Sequence, residues 1–106
     1  SHSSMVTVDT ETVFHGQKAY ASFIGKDQAG KKLAVLVDQA DNTVYAYSLE
    51  DGISKKKATA IVKEESQDAI DRVIFGRFKG KPIWEVKAGS SYYVVDFKTG
   101  KVIGVF

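Results

Sequence analysis

At 106 residues the chain has the size of one ordinary domain or two very small ones, and its 43% apolar and 26% charged residues are those of a folded globular protein. A formal net charge of +2, with acidic and basic residues interleaved, supplies no basic stripe for nucleic acid. The absence of cysteine removes disulfides, thiolate metal sites and cysteine nucleophiles together.

The opening Ser1–Met5 is polar and reads as a tag remnant, so an anchor upstream of it would lie outside this sequence. A first unit is expected over residues 6–50, with a strand from Val6 to Phe14, a Gly16 turn and a second strand. A long turn, Gly25–Lys31, then leads to a strand in which Leu33, Val35 and Val37 alternate with Lys32, Ala34, Leu36 and Asp38. Asp38 and Asp41 flank a tight turn and are placed to bond their own backbone. The strand after it puts Tyr45 and Tyr47 on one face.

A second unit is expected over residues 51–106, and it holds the one stretch that reads as helix, Ser54 to about Glu65. The Ser54 hydroxyl can accept a first-turn N–H, and Ile53 and Ala58 stand at the positions of a hydrophobic staple. Ala58, Ile61, Val62 and Glu65 recur at helical spacing, a narrow stripe that needs a sheet to pack on. Strands follow from Ile70 onward: Trp84 and Val86 alternate with Ile83, Glu85 and Lys87, and Tyr93, Val95 and Phe97 with Tyr92, Val94 and Asp96. Such alternation predicts antiparallel sheets with one face packed and the other largely wet.

The halves repeat. Phe14–Tyr20 aligns with Phe78–Trp84, Val35–Asp38 with Tyr93–Asp96, and Val44–Ala46 with Val102–Gly104. The fold class is therefore α+β, cystatin-like: a helix on an antiparallel four-stranded sheet, duplicated, with the first helix missing. Without a helix of its own, the first sheet must pack its apolar face on the second unit, on the single helix, or on another copy of the chain as a homodimer.

Asp51–Ala58, Gly80–Val86 and Tyr92–Lys101 together resemble the TseB-like (YpmB-like) family, which is related to PepSY domains. The resemblance covers about residues 11–106. It implies tandem cystatin-like domains behind a single N-terminal membrane anchor, facing the cell wall, mostly in Gram-positive bacteria. It also implies a protein partner in wall elongation, a class B penicillin-binding protein, or a peptidase that the PepSY relatives restrain. No catalytic residue belongs to the pattern. The family usually carries acidic residues in the first helical turn, where this chain has Lys55, Lys56 and Lys57.

That lysine triplet is the candidate binding site. It serves either as a patch for anionic wall polymers or lipid head groups, or as a solvated face, since a helical triplet splays its charges around the axis. His15 is the one histidine outside the presumed tag, too little on which to build a catalytic triad or a zinc site. No acidic ladder marks a calcium loop, and the scattered glycines form no phosphate-cradling loop, so no cofactor, metal or catalytic residue is assigned. The expectation is a non-catalytic extracytoplasmic regulatory module, with a peptidase-inhibitor module or a polymer- or lipid-binding module as alternatives. The hairpin turns 25–31 and 88–91 are the geometric places for a partner.

Overall fold

The computed structural model describes residues 9–11 and 20–106. The tag, most of the first expected strand, His15 and most of the first arm of the repeat lie outside the described residues. In chain order the elements are β1 (Asp9–Glu11), β2 (Tyr20–Lys26), β3 (Lys32–Asp38), β4 (Val44–Ser48), a 3₁₀ turn (Leu49–Asp51), α1 (Lys55–Glu65), β5 (Ile70–Phe78), β6 (Lys81–Ala88), β7 (Ser91–Asp96) and β8 (Val102–Val105). They form two antiparallel four-stranded meanders, β1-β2-β3-β4 and β5-β6-β7-β8.

The helix begins where the capping residue places it. Ser54 Oγ accepts the Lys57 N–H at 3.0 Å, and the Ser66 N–H closes the far end on the Val62 carbonyl. Ala58 and Val62 are buried against the second sheet, whereas Glu65, expected on the same stripe, is exposed. Its carboxylate gains more from water than a place under the helix could return. The chain entering the helix is held by Trp84, whose indole N–H donates to the Ile53 carbonyl at 3.0 Å, and by the Ile53 N–H on the Phe97 carbonyl at 2.8 Å. Gly52 is needed here for space: a Cβ would stand 2.7 Å from two carbons of the Phe97 ring and closer still to the Phe97 carbonyl oxygen.

The two sheets carry the same last turn. The Asp38 N–H donates to the Thr43 carbonyl and its own carbonyl accepts from the Asn42 N–H; Asp96 does the same with Lys101 and Gly100. The carboxylates then bond inward, Asp38 Oδ1 taking the Ala40 N–H and Asp96 Oδ2 the Thr99 N–H. Asn42 and Gly100, at φ 63° and 79°, occupy the matching left-handed position.

With the turns superposed, pairing sets the true correspondence. Tyr20 faces Asp38 and Ile83 faces Asp96, so Tyr20 takes the place of Ile83 and the aromatic match of Tyr20 to Trp84 is off by one residue. A shift of one exchanges sheet faces. The face of Trp84, Val86 and Val95, covered by α1, therefore corresponds in the first sheet to the face of Ala21, Phe23 and Val37, which is half-buried.

The first sheet instead buries its other face, with Ser22, Ala34, Leu36 and Asp38, against the second sheet. Phe75 is the common ring, 5.6 Å from Tyr47 and about 5 Å from both Trp84 and Phe97 between centroids. Arg77 sits beside it, with its guanidinium 3.9 Å from the Tyr45 ring centroid and its Nε donating to Tyr47 Oη at 3.1 Å. Burial works against that charge, but hydrogen bonds with Tyr20 and Tyr47 outweigh it and hold the guanidinium above its ordinary pKa.

The second sheet departs from the expected wet outer face. Ile83 and Val94 are fully buried there and form a second cluster with Phe78, while Glu85 is 2% exposed. The Phe106 ring turns back onto Phe78 at 5.7 Å. Two apolar cross-strand neighbours and a returning aromatic make this face a satellite core.

Candidate functional site

An open groove of about 1070 Å³ runs between the end of β2, the first turn of α1 and the beginning of β5. Its floor is apolar, made by Ile24, Leu49, Ile70, Val73 and the Phe75–Trp84 pair. Its rim is cationic: Lys26 and Lys32 stand on one side, Lys55 and Lys56 on the other, and Arg72 on β5. Asp71 is the one acid in the lining, and its carboxylate is already engaged by Lys87 Nζ at 3.1 Å.

The sequence-derived lysine triplet is divided by this geometry. Lys55 and Lys56 line the groove; Lys57 does not, and its backbone N–H serves the helix cap. All three side chains are exposed. Successive residues on a helix lie about 100° apart, so the triplet could not face one ligand as a unit. The rim is completed by Lys26, Lys32 and Arg72, which local spacing does not connect to the helix. Among the described residues no carboxylate pairs with Lys26, Lys32, Lys55 or Lys56. Four lysines held around one apolar trough make a positive field that is stronger than isolated surface charges would give.

Every residue from 70 to 75 lines the groove. Ile70 to Val73 are exposed or half-buried there, whereas Ile74 and Phe75 are buried at its base. Among the described residues β5 pairs with β6 alone. An extra residue, Asp71, bulges the strand where Ile70 pairs with Ala88 and Arg72 with Lys87.

The turn 25–31 is tied rather than loose. Asp27 Oδ1 accepts the Ala29 and Lys31 N–H groups, both at 2.9 Å, and Gly30 takes the left-handed φ of 85°. Among the described residues no cluster of histidine, cysteine or carboxylate is arranged to hold a metal ion. Among them, too, no helix is long and apolar enough to cross a membrane.

Residues 52–106 match the family described as peptidase propeptide and YPEB domain, PepSY, and residues 1–38 match the cell wall elongation regulator TseB-like domain. The fold is similar to the solved YpmB protein from Bacillus subtilis, at 29% identity and a TM-score of 0.80, covering 97% of this chain and 86% of that one. No curated protein matches the chain. Both family descriptions fit an extracytoplasmic regulatory module, of a kind that is generally non-catalytic. With a PepSY match over more than half its length, preceded by the TseB-like match, the chain belongs to the TseB/YpmB-like PepSY family.

Proposed function

We propose that the chain is a non-catalytic regulator that binds an enzyme of cell-wall synthesis, such as a penicillin-binding protein, on the outer face of the membrane to which an N-terminal helix tethers it. It acts as two cystatin-like units, 6–50 and 51–106, joined through Phe75 and Arg77. The observation that carries this reading is the order of the TseB-like and PepSY matches on one chain, with a cationic groove where the two units meet. Such a groove selects and orients a partner of opposite charge more than it adds raw affinity. Among the described residues that line it there is no histidine or cysteine, and its one acid, Asp71, is engaged by Lys87.

A photo-crosslinker in place of Lys56 in the full, membrane-tethered chain tests it. Capture of an identified peptidoglycan-synthesis enzyme from Lys56, and not from a crosslinker at exposed Lys101, is the expected result. Equal capture from both positions, or none from Lys56, would overturn it.

A second reading, restraint of a peptidase, is favoured by the Asp27-pinned turn, because an inhibitory loop must be rigid before it meets a cleft. Saturable, dose-dependent inhibition in a protease panel, lost in Asp27→Ala, would bring this reading forward.

A further inference from the structure

The groove also decides what kind of partner segment can enter it, an inference that rests on the regulatory reading. Its two walls carry the same sign: Lys26 and Lys32 stand at the facing ends of β2 and β3, Lys55 and Lys56 on the first turn of α1. Between the walls Ile24, Leu49, Ile70 and Val73 are half-buried, and each keeps apolar surface that a ligand can still cover. Below them Ile74 and Phe75 are 5% and 1% exposed, so the base offers no backbone with which an incoming strand could pair. An extended segment would therefore press its inward N–H and C=O groups onto an apolar floor without partners, a cost that grows with every residue. A helix satisfies its own backbone within the segment and turns only side chains outward.

Charge sets the rest. A helix lying in this trough meets lysines along both flanks and apolar side chains beneath it. Its complement is an apolar stripe bordered on each side by carboxylates. The chain's own helix does not supply that pattern: it carries Lys55, Lys56, Lys57 and Lys63 against Glu64 and Glu65, so a second copy would bring like charge. A phosphate polymer would match the lysines but leave the apolar floor uncovered. A lipid headgroup gathers its charge at one point, whereas these lysines stand on opposite walls. We propose that the groove takes an acidic amphipathic helix of the protein partner, with its apolar stripe on Ile24, Leu49, Ile70 and Val73 and its carboxylates toward Lys26, Lys32, Lys55 and Lys56.

Fluorescence anisotropy on the full chain tests this with labelled peptides of about fifteen residues, long enough to form a helix on binding. In the first, Leu recurs at helical spacing with Glu on both flanks; in the second, the same residues are reordered so that Leu and Glu alternate. The first should bind and gain helical circular dichroism as it does, and the second should bind at least about tenfold more weakly. A third peptide, with Lys in place of Glu, should not bind. The combined Lys26→Glu, Lys55→Glu and Lys56→Glu variant should also weaken the first peptide at least about tenfold. Its sites are exposed, and Glu in the first turn suits the helix dipole, so an unchanged unfolding midpoint separates lost binding from lost fold. Failure of the helical peptide to bind, alternating peptide bound within about twofold, or binding unchanged in the triple variant would each overturn the helix. So would retention of the chain by phosphatidylglycerol vesicles that the helical peptide cannot displace, which would assign the groove to lipid. If the helix fell while the Lys56 crosslink still captured a wall enzyme, the regulatory reading would stand without this groove chemistry. Loss of the crosslink would remove the reading itself.

Discussion

Val37 and Val95 are the same residue in the same register of two sheets that end in the same aspartate turn. Val37 pairs with Val44, and Val95 with Val102. Yet Val95 is fully buried beneath the face that α1 covers, while Val37 is half-buried and Val44 is 56% exposed. The difference lies in what the chain lays across each sheet, not in the strands. The second sheet is covered by α1 on one face and carries a satellite cluster on the other. The first spends its opposite face, through Tyr45 and Tyr47, on Phe75 and Arg77 of β5. Strand patterning thus marks two faces as able to be core, and the neighbouring element decides which one becomes so.

The ring shared by both sheets offers the hardest test of that asymmetry. Phe75 touches Tyr47 on one side and Trp84 and Phe97 on the other, so its truncation removes contacts from both sheets at once. Phe75→Ala should cost about 3–5 kcal/mol in denaturant unfolding. If the sheets depend on one another, the transition stays single, with an unchanged slope against denaturant. A split into two transitions would show that each sheet is stable alone and that the contact between them is incidental.

Elements announced by local chemistry were legible beforehand. Ser54 capped the helix where its hydroxyl and the apolar stripe placed it, and Asp38 and Asp41 bond their own backbone at the turn they flank. Register was not legible, because matching aromatic with aromatic put Tyr20 on Trp84. Hydrogen-bond pairing to the aspartate turn put it on Ile83 instead, and no side-chain property of Tyr20 reports a one-residue step. The buried outer face of the second sheet was likewise hidden, since Ile83-Glu85-Lys87 reads as a face that tapers into water. Of the lysine run Lys55, Lys56 and Lys57, the groove takes in Lys55 and Lys56 and leaves Lys57 outside its lining. Lys26, Lys32 and Arg72 reach the same groove only through the packing of β2 against β5, which no spacing along the chain encodes.

The paired valines give the intermediate effect. Val95→Ala removes two methyl groups from a filled site and should cost about 2–3 kcal/mol, while Val37→Ala, deleting the same atoms from a half-buried one, should cost less than about 1 kcal/mol. Equal losses would mean that the Val37 face is as fully covered in solution as its counterpart, and the contrast between the two sheets would collapse. Thermal unfolding of the two variants side by side, under one buffer, is sufficient, because the unfolded-state terms for the same substitution largely cancel.

The turns themselves should differ least, and the comparison there isolates cover from backbone. Asn42 and Gly100 hold the same left-handed conformation and accept the same ladder role, but their surroundings differ. Asn42 is exposed, so Asn42→Gly relieves the strain of a positive φ and loosens the unfolded chain, two opposed effects that should leave stability within about 0.5 kcal/mol. Gly100 lies under the helix: a Cβ there would meet Ile61 Cδ1 at 3.3 Å and Ile53 Cγ2 at 3.6 Å. Gly100→Asn therefore adds to the backbone cost a polar side chain pressed toward two isoleucines, and should lose about 1–2 kcal/mol. Were the two exchanges equally mild, the Ile53–Ile61 wall would have to yield freely, and α1 would be less firmly seated on the second sheet than Ala58 and Val62 indicate.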